Sequence, residues 1–324
     1  MKNLCAELNR RIVILDGAMG SEIIAQNLNE HKYHLNEFAT IEQPLKGCYE
    51  SLCVSNPDII EHIHTQYLQA GADIIETNTF NANALSLQKY GLSAYDRLIN
   101  LKAVQIARKV VEQHSAISGK NAYVAGAIGP GNTLLTDKDS KEFYALADAY
   151  FAQASAIIEG GADLMFIETI IGRINAQAAY LGIRKAMEQR GRELPIICSA
   201  VVNAKGQLID GSPLSDFVQF CIGINAFAIG LNCGTDIDTT LEAYQTLTTD
   251  DRLADRFLIL FPSAGLPDKH GKYGETTTIL QRIETEMNRQ HINIVGGCCG
   301  TDPAFIKSLS VKASVNKQRL LTLK

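Results

Sequence analysis

Val295-Gly296-Gly297-Cys298-Cys299-Gly300-Thr301 sets two adjacent cysteines between glycines, just after the apolar residues Ile292, Ile294 and Val295. Successive side chains of an extended segment point to opposite faces, so two neighbouring thiols cannot both serve a core. Glycine on either side lets the backbone bend until both thiols face one target, and a soft metal ion is the natural target. A catalytic zinc site takes three protein ligands and keeps a fourth position open. Gly230-Leu231-Asn232-Cys233-Gly234 supplies a third thiol, again at the end of an apolar run. We read Cys233, Cys298 and Cys299 as the ligands of one catalytic Zn2+.

Three thiolates leave the metal centre with a net charge of about −1, a poor activator of water but a good host for a fourth thiol. A free thiol, with a pKa of about 8.5, is only a few per cent thiolate at neutral pH. A coordinating thiol is deprotonated outright. The chemistry this set of residues suits is alkyl transfer to sulfur.

Composition places the site in an ordinary globular chain. Of 324 residues, 46% are hydrophobic and 20% charged, enough for a core that needs no disulfide staples. The net charge of −5 and the absence of a basic block argue against a nucleic-acid surface. The sparse basic residues from Lys312 to Lys324 read as a solvated tail. The N-terminus lacks the apolar core of a signal peptide, and no run reaches the ~20 apolar residues of a membrane span. A cytoplasmic protein is expected, its eight cysteines reduced. Cys198 and Cys221 lie in apolar runs and, together with Cys5, Cys48 and Cys53, are read as packing.

The elements that must position the thiols follow a strict alternation. Short apolar runs beginning at Arg11, Ala72, Ala122, Asp163, Ile196, Ala226, Phe257 and Ile292 read as eight strands. A helical segment follows each, least clearly after the first. Nearly continuous apolar strands alternating with helices mean a parallel sheet covered on both faces. Eight such units close a single-domain (β/α)8 TIM barrel, with its core over about residues 11–312 of the 324. An open doubly wound sheet is the alternative, but no Gly-x-Gly-x-x-Gly follows the first strand. In a barrel all C-terminal strand ends open on one mouth. Asp16, Glu76, Asn78, Glu168, Asn232, Cys233, Ser263, Cys298 and Cys299 all fall at such ends.

Asp16 and Glu168 suit an ammonium, and the turn Gly17-Ala18-Met19-Gly20 offers backbone N–H groups to a carboxylate. Thiol, ammonium and carboxylate together describe an amino-acid thiol. Asn232, beside Cys233, joins the substrate-binding set. The bland alternatives are a turn-forming Asp16 and a buried salt bridge from Glu168 to Arg173 or Lys185. A phosphate-binding barrel would use the glycines after the last strand but leaves the adjacent cysteines unexplained.

From about Arg11 to Lys312 the chain resembles the zinc-dependent homocysteine S-methyltransferase family, and within it the homocysteine-binding N-terminal domain of cobalamin-dependent methionine synthase. The resemblance rests on Leu15-Asp16-Gly17-Ala18-Met19-Gly20, Gly71 to Phe80, Gly160 to Thr169, Gly230-Leu231-Asn232-Cys233 and Gly296 to Thr301, in that order. It implies the same barrel, with Cys233, Cys298 and Cys299 on zinc and homocysteine activated as its zinc thiolate. It also implies Asp16 and Glu168 on the homocysteine amino group, Ala18 and Met19 on its carboxylate, and methionine as product.

One departure concerns the turn after the seventh strand. Methionine synthases read Pro-Asn-Ala-Gly-Leu-Pro there, with the Asn available to the metal when substrate is absent; this chain reads Pro262-Ser263-Ala264-Gly265-Leu266-Pro267. The other is the lack of the folate, cobalamin and reactivation domains after the barrel, so the methyl donor is expected from outside. The likeness favours methylcobalamin on a separate corrinoid protein. The lone barrel favours a stand-alone enzyme using S-methylmethionine or another small sulfonium. Selenols remain open as substrates. A non-catalytic zinc-stabilised subunit of a corrinoid or folate complex is the reading from another class.

Overall fold

The computed structural model describes residues 2–268 and 273–321. Eight parallel strands form one sheet: β1 (Val13–Ile14), β2 (Ile74–Glu76), β3 (Tyr123–Ile128), β4 (Leu164–Ile170), β5 (Ile196–Ala200), β6 (Ala228–Cys233), β7 (Phe257–Pro262) and β8 (Ile294–Val295). β1 pairs with β8 at one edge, and a bridge between Leu15 and Ile74 joins β1 to β2 at the other. The sheet therefore closes into a (β/α)8 barrel, not an open doubly wound sheet.

Side-chain alternation builds the barrel's two cores. Along β7, Phe257, Ile259 and Phe261 point into the barrel, while Leu258 and Leu260 face the helices outside. Several of the barrel helices start where a short polar side chain caps them. Ser140 accepts from the Phe143 N–H, Asp236 from Thr239 and Asp302 from Phe305. The first unit departs from regular alternation, as its weak helical signal foretold. Between β1 and helix Pro57–Ala70 lie the seven-residue helix Met19–Ala25, a series of 3-10 turns and the four-residue helix Leu52–Ser55.

Both ends of the chain pack more tightly than the sequence suggested. Helix Lys2–Leu8 inserts Leu4 and Leu8, both fully buried, into the inner core beside Val13, Ile74 and Tyr123. Tyr123 also donates its hydroxyl to Glu7 at 3.0 Å. Among the described residues the C-terminal segment is anchored rather than wholly a solvated tail. Lys312 pairs with Glu284, Gln318 donates to the Asn9 carbonyl at 2.7 Å, and the Arg319 guanidinium donates to the Arg256 carbonyl at 2.8 Å. Backbone carbonyls at the helix and loop ends attract those donors, which composition alone does not reveal; Lys324 lies outside the described residues. Among the described residues no helix is long and apolar enough to cross a membrane. Cys48, Cys53, Cys198 and Cys221 are buried in the outer core, and Cys5 is half-buried.

Candidate active site

At the C-terminal ends of the strands lies a cavity of about 420 Å³, a size that suits small ligands. The segment after β1 supplies Asp16, Gly17, Ala18 and Met19 to its wall, β2 supplies Glu76, and β4 supplies Glu168. Cys233, Cys298 and Cys299 complete it. One space thus holds all but one of the site residues named from the sequence.

The three sulfurs lie within 4.8 Å of one another. Cys233 and Cys299 are 3.5 Å apart, Sγ to Sγ. Cys233 and Cys298 are joined as a disulfide, their Cα atoms 5.4 Å apart. This differs from the expectation that all eight thiols are reduced, because the turns after β6 and β8 bring these two Cα atoms within bonding range. The reduced donor set fits zinc. Bonds of about 2.3 Å in a tetrahedral site separate sulfurs by roughly 3.8 Å, close to the spacing of Cys233 and Cys299.

Close backbone approach aims the sulfurs. Cys233 turns off the end of β6 in a left-handed conformation, φ 48°. A side chain at Gly296 would meet the Cβ of Leu15 at 2.7 Å and the Asp16 carbonyl at 2.8 Å, so only glycine lets the last strand pass the first here. The loop beyond is stitched to its neighbours. Gly297 N–H donates to the Asp16 carbonyl at 3.1 Å, and Cys298 N–H to that of Pro262 at 2.9 Å. Thr301 donates its hydroxyl to the Cys298 carbonyl and accepts the Ala18 N–H at 3.2 Å. That last bond occupies one of the two N–H groups expected to hold a substrate carboxylate. Met19 opens helix Met19–Ala25, whose first-turn N–H groups have no helical acceptors.

Four carboxyl groups line the cavity: Asp16, Glu50, Glu76 and Glu168. No Lys, Arg or His is among the described residues that line it with them. Asp16, 3% exposed, accepts the Glu76 N–H at 3.0 Å. Burial, with Glu168 nearby, holds its carboxyl well above the usual range. Glu168 is pushed up to about 7 by burial. Glu76 is raised well above its ordinary value by burial and by its carboxylate neighbours. The salt bridge considered for Glu168 does not form. Lys185 pairs with Asp148 at 3.2 Å instead, and Arg173 is exposed.

Asn232 is the site residue that does not reach the cavity wall. It is 1% exposed, and its amide is consumed by Thr169, Ser199 and Cys298. Ser263 is buried and is likewise absent from the wall. Conversely, Glu50, Tyr49 and Phe80 line the cavity without having been singled out. Glu76 had been noted only for its strand end. Tyr273, in the segment before helix Thr276–Asn288, lies near Cys299 and lays its ring against Gly300. No periodic signal marks loop residues such as Tyr49 and Tyr273.

The sequence model of a family described as homocysteine S-methyltransferase matches residues 13–313. The fold is similar to that of the Escherichia coli homocysteine methyltransferase MmuM. Its metallated form is 23% identical over 94% of this chain and 96% of that one, with a TM-score of 0.71. Its oxidized form is 24% identical over 93% and 96%, with a TM-score of 0.72.

Proposed function

Because the chain belongs to the homocysteine S-methyltransferase family, we propose that Asp16 and Glu168 seat the amino acid end of homocysteine while Cys233, Cys298 and Cys299, reduced, hold a zinc ion at its sulfur. The enzyme is a homocysteine methyltransferase; the metal, the residue roles and the methyl donor are our reading. One observation supports it above others: three sulfurs and two buried carboxyls face the same cavity of about 420 Å³. A zinc ion held there would keep a coordinating thiol deprotonated.

The protein's own groups do the rest. Asp16 and Glu168 are buried and lack a cation of their own, so an ammonium entering between them meets acceptors it does not share with water. The backbone from Gly17 to Met19 takes the substrate carboxylate, mainly through N–H groups of the opening helix turn. Phe80 and Phe261 give the cavity apolar walls, which limits water around the nucleophile. The sulfur lone pair forms the new bond to the methyl carbon, and the donor departs with the electron pair of the bond it loses. The product is methionine.

For the donor we propose methylcobalamin carried by a separate corrinoid protein. Cys299 is exposed, so the thiol cluster sits where a large donor can reach it from the mouth. A second reading, a small sulfonium such as S-methylmethionine, has its own support: four carboxyl groups line a cavity with no cationic side chain on its described wall. Zinc-loaded protein should be assayed with homocysteine and each donor in parallel, with metal content measured on the same sample. Turnover with methylcobalamin alone supports the first donor, and turnover with S-methylmethionine replaces it by the second. Protein without zinc that is fully active would sink the metal reading.

A further inference from the structure

Asn232 joins three strand ends through one side chain. It closes β6 beside Cys233, is 1% exposed, and uses both ends of its amide. Its Oδ1 accepts the Thr169 N–H at 3.0 Å and the Ser199 hydroxyl at 2.7 Å. Its Nδ2 donates to the Thr169 hydroxyl at 2.8 Å and points at the Cys298 sulfur at 3.7 Å. Two acceptor sites and two donors are therefore all taken.

The residues it grips are under constraint. Thr169 has φ 55°, a left-handed conformation that a β-branched residue rarely adopts. The pairing of β4 with β5 shifts register between Ile167 and Ile170, on either side of Glu168 and Thr169. Without the shift the strand would keep simple alternation; with it, Glu168 stays toward the cavity while Ile170 packs outward. The amide of Asn232 bonds both polar groups of Thr169 that this conformation presents, its N–H and its hydroxyl.

We infer that Asn232 is a positioning residue that fixes the ammonium-binding carboxyl of Glu168 and the sulfur of Cys298 relative to each other, with Ser199 as its anchor on β5. It touches neither homocysteine nor donor. The inference rests on the proposed roles of Glu168 and Cys298. Toward a thiolate at Cys298 the Nδ2 hydrogen is a stabilising donor, the kind of outer partner that orients ligands and tunes a metal site. Toward Glu168 it acts through the held backbone of Thr169.

The test uses the full chain and reads zinc affinity by competition with a chelator, and homocysteine affinity by calorimetric titration of zinc-loaded protein. Asn232→Asp keeps the shape but sets an oxygen in place of the NH2 group. It should weaken zinc by more than about tenfold and also weaken homocysteine, with the melting of metal-free protein nearly unchanged. Thr169→Gly accepts the left-handed backbone without strain and deletes the hydroxyl. It should weaken homocysteine several-fold while zinc affinity stays near wild type. The inference is overturned if Asn232→Asp binds both ligands as the wild type does, or loses them only together with its folded transition. It is equally overturned if Thr169→Gly leaves homocysteine binding intact. Wild-type protein that retains no zinc would instead remove the reading beneath it.

Discussion

Glu76 and Glu168 stand together as buried carboxyls on one wall of the cavity, each held above its ordinary range by burial, and two carboxylates so crowded do not both stay ionised. Asp16 stands on the same wall and accepts the backbone N–H of Glu76. Three acids are thus crowded where an ammonium is expected, and in its absence they hold protons that a solvated carboxyl would release.

This crowding fixes the sign of the pH dependence of stability. Folded pKa values above the unfolded ones mean that the native state binds more protons, so stability falls as pH rises through the folded values. Glu168, pushed up to about 7, places that loss between the ordinary carboxyl range and neutrality, and Asp16 and Glu76, also raised by burial, add to it in the same direction. Metal-free, substrate-free protein should melt a few degrees higher at about pH 6 than at about pH 8. Glu76→Gln should flatten the trend. Calorimetric scans across that range check it, and a rising melting temperature with pH would refute the arrangement.

Asp16→Asn keeps the hydrogen bond to Glu76 but removes a charge from the ammonium seat. A lost charge-assisted bond of roughly 1.5–3 kcal/mol raises KM for homocysteine about ten- to a hundredfold. Steady-state kinetics should show that rise with a smaller change in kcat. An unchanged KM would move the amino group elsewhere.

Cys298→Ser should cost the protein its metal. Zinc content, about one per chain in the reduced wild type, should fall sharply, and methyl transfer should drop by at least about a hundredfold. Chelation of the wild type should reproduce the loss and added zinc should reverse it. Activity that survives the substitution would exclude the three-sulfur site.

Gly296→Ala tests the contact between the last strand and the first. The added methyl group lands on Leu15 and the Asp16 carbonyl, and overpacking of this kind costs about 1–3 kcal/mol. Because the displaced residue is Asp16, homocysteine affinity should fall together with the melting temperature. A variant less stable but equally good at binding homocysteine would show that Asp16 tolerates the shift.

Much of this architecture was written in local patterns. The spacing of Ile59, Ile60, Ile63, Tyr67 and Leu68, stopped by Gly71, predicts helix Pro57–Ala70 as observed, and the apolar run from Phe257 to Phe261 predicts β7 to within one residue. Strand ends in a barrel share one mouth, so Asp16, Glu168 and the three cysteines were predictable as neighbours from one-dimensional order. What escaped depends on non-local geometry. The apolar run from Asp163 reads as a strand that ends at Ile167, just before Glu168, yet β4 continues to Ile170 through an irregularity no composition signals. Asn232 was read as touching substrate because strand parity does not say which partners an amide finds. Tyr49 and Tyr273 approach from loops whose paths are set by tertiary packing.

The inner core gives the cavity one further property. Leu4 and Leu8 fill the barrel from its N-terminal end, and Phe166 and Phe261, with ring centroids 5.4 Å apart, occupy its interior nearer the site. Among the described residues the cavity is thus floored by the inner core and lies at the C-terminal strand ends. On the proposed roles, a donor that covers the mouth would also close in the amino acid beneath it, so homocysteine would enter before the donor and methionine would leave after it.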